Sequence, residues 1–147
     1  MIKIKYLIII FILYTNCLAN ESYKFVSTKS NEVNVHSGPG LDNQVIYKLI
    51  KKSEPLKVIR EFEEWLLVED ISKESGWVHN AVVSNKRFII ITKPTYLYKQ
   101  PLISSKIIAK IMPEVRCAFC LCKKELCNIK CKKYKGWVLL EHLWGVN

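Results

Sequence analysis

Val35-His36-Ser37-Gly38-Pro39 recurs sixty-two positions later as Leu97-Tyr98-Lys99-Gln100-Pro101. The same offset lays Val45-Ile46-Tyr47-Lys48-Leu49 over Ile107-Ile108-Ala109-Lys110-Ile111. Gly76-Trp77-Val78 then returns as Gly136-Trp137-Val138, sixty positions on. Three matches in one order, with one small deletion, indicate a duplicated module. A period of this length exceeds most solenoid units and suffices for a small folded unit.

Within each copy the apolar runs have strand length and are separated by turn residues. In the first copy they cover residues 32–35, 44–50, 56–60, 65–69 and 76–78. Val33 and Val35 alternate with polar neighbours, as a half-buried strand requires. Ser37-Gly38-Pro39-Gly40 is the sharpest turn: Gly takes positive φ freely and Pro fixes its own. The second copy predicts strands at 95–98, 106–112, 115–119, 126–130 and 136–140, with 87–92 serving as an opening strand and tight linker. No Gly- or Ser-rich spacer separates the copies, so the two modules should touch. The pattern predicts an all-β chain of two small, strongly bent antiparallel barrels.

The N-terminus reads as an address. Lys3 and Lys5 precede nine uncharged apolar residues, 6–14, and Cys17-Leu18-Ala19 offers small side chains for cleavage. A spanning helix needs about 20 apolar residues, so a membrane anchor is the poorer reading. The expected organisation is a signal peptide at 1–19, a first module at 22–84 and a second, cysteine-rich module at 86–147. The expected location is the periplasm or otherwise the cell envelope, with membrane contact only through the leader before cleavage.

The order Val33-Asn34-Val35-His36-Ser37-Gly38-Pro39-Gly40, then Val45-Ile46, Trp65 with Val68, and Gly76-Trp77-Val78 resembles the bacterial SH3-like domain. Gly136-Trp137-Val138 with Leu143-Trp144-Gly145-Val146 resembles the C-terminal ending of exported two-module members. The second copy departs from the pattern: Gln100 replaces the Gly, and Leu126 stands where Trp is usual. His36 sits where the family often has Arg. The resemblance implies a five- or six-stranded barrel in each half, an envelope location, and the binding of cell-wall peptides or service as a targeting module beside a wall hydrolase.

Past the leader, the cysteines fall within fifteen residues: Cys117, Cys120, Cys122, Cys127 and Cys131. In an oxidising compartment disulfides are the default; in the cytosol such a cluster could hold zinc. Two bridges among five cysteines allow fifteen pairings. A hairpin joining 115–119 to 126–130 would set Cys117 opposite Cys127, the pair the resemblance also favours. Cys120 or Cys122 would then reach Cys131, and Cys122 is the expected partner.

Lys123, Lys124, Lys130, Lys132, Lys133 and Lys135 crowd this cluster against Glu125 alone. Such a basic face suits wall polymers or lipid headgroups, and export removes nucleic acid as a normal partner. Catalysis has little support. Of His36, His79 and His142 only His142 falls near the cysteines, no Gly-rich phosphate loop leads into a helix, and Glu63-Glu64 reads as a solvated turn. No cofactor is expected. The leading expectation is a non-catalytic exported binding module for a cell-wall peptide or an envelope protein. Its groove would lie between the 37–43 loop and the loop around Glu63, using Ser37, Asp42 and Glu63 over a Trp65 floor. The competing expectations are a thiol-active or zinc-binding envelope protein built on the cysteines, and a purely structural role.

Overall fold

A computed structural model of the chain describes residues 23–147; the expected leader lies outside them. The first half holds β1 (Phe25–Thr28), β2 (Val33–His36), β3 (Val45–Leu49), β4 (Pro55–Phe62), β5 (Trp65–Glu69), β6 (Ser75–His79) and β7 (Val83–Ser84). The second holds β8 (Phe88–Ile91), β9 (Thr95–Tyr98), β10 (Ile107–Ile111), β11 (Arg116–Lys123), β12 (Leu126–Cys131), β13 (Tyr134–Leu139) and β14 (Leu143–Trp144). A 3-10 turn, Asn80–Val82 or Leu140–His142, precedes the last strand of each.

The strands form two seven-stranded sheets with one topology. The orders are β3-β2-β6-β5-β4-β1-β7 and β10-β9-β13-β12-β11-β8-β14. In the first, Val26, Val33, Leu56, Val68, Val78 and Val83 share one core. Residues from the middle and both flanks of a sheet can meet only if it curls, so each sheet is a barrel. In the second, Ile89, Leu97, Cys117, Ile129 and Val138 do the same.

The repeat extends to backbone detail. Ser37 N–H donates to Gln44 O at 2.9 Å, and Lys99 N–H donates to Lys106 O at 2.9 Å. Ser53 (φ 63°) and Glu114 (φ 66°) occupy the same left-handed turn position before β4 and β11. The Gly-Trp-Val motif is explained by the close antiparallel approach of β6 to β2 and of β13 to β9. A Cβ on Gly136 would stand 2.6 Å from Tyr98 O, and one on Gly76 would collide with Val35. The following valines, Val78 and Val138, are fully buried. Glycine permits the approach and valine fills the core beneath it.

Seven strands per barrel exceed the five or six expected. The additions are the two-residue closures β7 and β14, and β1, which the sequence pattern did not disclose. The barrels touch directly. Arg116 Nε donates to the Glu54 carboxylate at 2.6 Å, with Glu54 buried. The Phe25 ring meets Trp144 edge-on at 5.3 Å, and Arg87 lies over Phe25 at 5.8 Å while donating to Gly145 O at 3.0 Å. Burial holds the Arg87 pKa below the usual guanidinium value.

Candidate functional site

Trp65 opens β5 opposite Phe62 on one side and His79 on the other. His36 closes β2, which pairs with β6 at Trp77. These strand ends bring three rings together. Trp65 meets His36 at 5.1 Å and His79 at 5.4 Å, both edge-on, with interplanar angles of 77° and 87°. Edge-to-face contacts at this separation are attractive and orient the ring. The indole is 8% exposed and floors a hollow of about 310 Å³ shared with Leu41, His36, His79 and Glu32.

Hydrogen bonds fix the imidazoles differently. His36 Nδ1 lies 2.9 Å from Asn43 O, and a carbonyl only accepts, so Nδ1 carries the proton. In the neutral ring this leaves Nε2 as an acceptor. His79 Nδ1 instead accepts from Ala81 N–H at 3.1 Å, which puts the proton on Nε2, 3.3 Å from the Glu64 carboxylate. Glu32 at the rim pairs with Lys48, which lowers its pKa through the hydrogen bond and then the charge. The hollow therefore combines an aromatic floor, an aliphatic wall from Leu41, one imidazole acceptor and carboxylates at its edge.

Of the four residues expected in the groove, only Trp65 lines it. Ser37 and Asp42 are exposed outside it, and Glu63 borders a neighbouring hollow with Lys24 and Asn80. Sequence reasoning missed His36, His79 and Leu41. His79 had a usable signal: it follows Gly-Trp-Val, and the ladder places it directly opposite Trp65.

The second barrel carries a related hollow of about 690 Å³, with Leu126 in place of Trp65 and Leu139 in place of His79. A third depression, about 580 Å³, lies between the barrels and is bordered by Tyr47, Asp70, Glu54 and Arg116. Burial first, then the charges of Asp70 and Glu74, push the Tyr47 pKa up to about 12.

The cysteine pairing differs from expectation. The bonds are Cys117–Cys131 and Cys122–Cys127, with Cys120 free and exposed. The expected pairing assumed that β11 ends at residue 119, but it runs on to Lys123. The tip moves to Lys124-Glu125, which sets Cys122 opposite Cys127 and carries Cys117 to the far end of the ladder, beside Cys131. The register shifts between Phe119 and Leu121, so Cys120 is the bulged residue without a ladder partner. With four thiols consumed, the tetrahedral thiolate set of a zinc site is lost.

Residues 29–85 match the family model described as the bacterial SH3 domain. Over these residues the first barrel is similar to the bacterial SH3 domain. No curated protein matches the chain. Solved structures similar to it include NlpC2 from Trichomonas vaginalis, at 15% identity over 84% of this chain and 48% of that one, with a TM-score of 0.39. NlpC1 from Trichomonas vaginalis is similar at 14% identity over 85% of this chain and 46% of that one, also with a TM-score of 0.39. The chain spans about half the length of either protein.

Proposed function

We propose that the protein is a non-catalytic binding module of the cell envelope whose first barrel takes a short wall peptide in the Trp65 hollow. The observation that carries this reading is the His36–Trp65–His79 arrangement at the mouth of a bacterial SH3 barrel, beside the exposed Leu41. An aromatic floor with a few convergent polar groups is the usual form of a small recognition site. The His36 acceptor and the carboxylates of Glu32 and Glu64 suit a peptide bearing an amine. Two disulfides support an exported location, because such bonds persist in oxidising compartments.

The test is sedimentation with purified peptidoglycan sacculi, comparing wild type with Leu41→Ser and Trp65→Ala. Leu41 is exposed, so its replacement leaves the fold intact and reports on the hollow alone. Loss of co-sedimentation in both variants is the expected result. Binding unchanged by either substitution removes the Trp65 hollow as the site, and absence of wild-type binding removes the wall peptide. An envelope protein held in the same hollow is the second ligand class, reported by capture that Leu41→Ser abolishes without sacculi. The thiol-active alternative is separated by titrating free thiols in the native protein, where one reactive thiol is expected and four or five would favour that alternative.

A further inference from the structure

Charge is divided unequally between the barrels. Residues 86–147 carry 13 lysines and arginines against three acidic residues, while residues 23–85 carry eight against nine. The whole positive balance of the described chain therefore sits on the second barrel. It is joined there by an apolar feature. Leu102 and Ile103, in the loop between β9 and β10, are each 57% exposed. They border a hollow that Leu126, Leu139, Lys123 and Lys124 also line. Lys99 and Lys106 stand at the base of the same loop, joined by the backbone bond that closes it.

We infer that this end of the second barrel docks on an anionic lipid bilayer, with Leu102 and Ile103 entering the headgroup boundary and the four lysines meeting lipid phosphates. Neither signal suffices alone: two aliphatic side chains give marginal membrane affinity, and a polybasic patch adds to it additively. A soluble polyanion would use the lysines and leave the aliphatic tip in water, whereas a bilayer satisfies both. The first barrel sets the orientation. Its matching hairpin tip is Glu63-Glu64, which an anionic surface repels. The Trp65 hollow is thus kept off the membrane and free for its own ligand. This contact is separate from the N-terminal apolar segment, and it gives the basic face of the second barrel one occupant.

The experiment is co-sedimentation with vesicles of phosphatidylcholine alone and of phosphatidylcholine mixed with phosphatidylglycerol. Wild type and variants are prepared with an identical N-terminus, so that any contribution of that segment is common to all. Wild type should bind the mixed vesicles, weaken with salt, and bind neutral vesicles poorly. Lys123→Glu with Lys124→Glu should lower the partition coefficient at least about twentyfold. Leu102→Ser with Ile103→Ser should lower it about tenfold while all lysines remain. Leu41→Ser in the first barrel should change nothing. If the serine pair binds like wild type, adsorption is by charge alone and the docking surface is overturned. The same holds if the mixed vesicles are not bound.

Discussion

At the tip of the β4–β5 hairpin stand Glu63 and Glu64; at the matching tip of β11–β12 stand Lys124 and Glu125, after Lys123. Both tips turn through a left-handed residue, Glu63 at φ 50° and Lys124 at φ 53°. The backbone is the same and the surface charge is reversed. Just inside the tips, the first barrel has an indole flanked by two imidazoles and the second a pair of leucines. Inward-facing valines, isoleucines and the glycines of the Gly-Trp-Val motif hold the topology, and the outward ends of the strands are free to diverge. Duplication has kept one scaffold and given its two mouths different chemistry.

The sharpest way to break this comparison is through the bonds that only the second barrel has. Cys117–Cys131 closes a loop with a sequence separation of 14. In the chain-entropy model such a bridge contributes about 3 kcal/mol, a large share of what a sixty-residue barrel can have. Replacing both cysteines by serine should raise the amide hydrogen exchange of β8 to β14 by about two orders of magnitude, with β1 to β7 unaffected. Equal acceleration in both halves would mean that the Glu54–Arg116 contact and the Phe25–Trp144 packing make the barrels unfold as one.

The duplication, the all-β class and the positions of most strands were legible because the apolar alternation survives in both copies. β1 was not, although its counterpart β8 was. Phe88-Ile89-Ile90-Ile91 is continuously apolar, whereas β1 ends in Ser27 and Thr28, both buried. Thr28 Oγ1 donates to Lys51 O at 2.8 Å and accepts from Glu54 N–H at 3.0 Å, so the adjoining turn satisfies a polar side chain that made the strand look like a loop. The disulfide pairing failed because a one-residue bulge and a longer hairpin set the register, and neither is written in cysteine spacing. At the site, Trp65 was legible as the floor of the groove. His36 and His79 were not, since their roles depend on the ladder that faces both toward one indole.

A finer probe lies at the two close strand approaches. A Cβ at Gly136 meets the backbone oxygen of Tyr98, which cannot move without shifting β9. At Gly76 the nearest obstacle is the Val35 side chain, with His36 O at 3.1 Å. Overpacking of this kind costs about 1–3 kcal/mol. Gly136→Ala should stand at the upper end of that range and Gly76→Ala at the lower, read from denaturant midpoints of the two variants. The reverse order would show that the disulfides let β9 yield more easily than β2 does.

The smallest expected effect concerns alkaline pH and the first barrel alone. Tyr47 borders the cleft between the barrels beside Asp70, while its counterpart in the repeat is Ala109. Its phenol has a pKa of about 12 in the fold, against about 10 for a free tyrosine. The folded state therefore favours the neutral ring. The stabilisation is complete below pH of about 10 and is lost as pH rises through about 12, because the unfolded chain releases the proton first. Absorbance titration of phenolate should show one late-ionising tyrosine, and Tyr47→Phe should remove it. The same substitution should flatten the fall in stability across that window. Ionisation of every tyrosine together near pH 10 would mean that water and counterions reach the cleft freely. The contact between the barrels would then be looser than the buried Glu54–Arg116 pair implies.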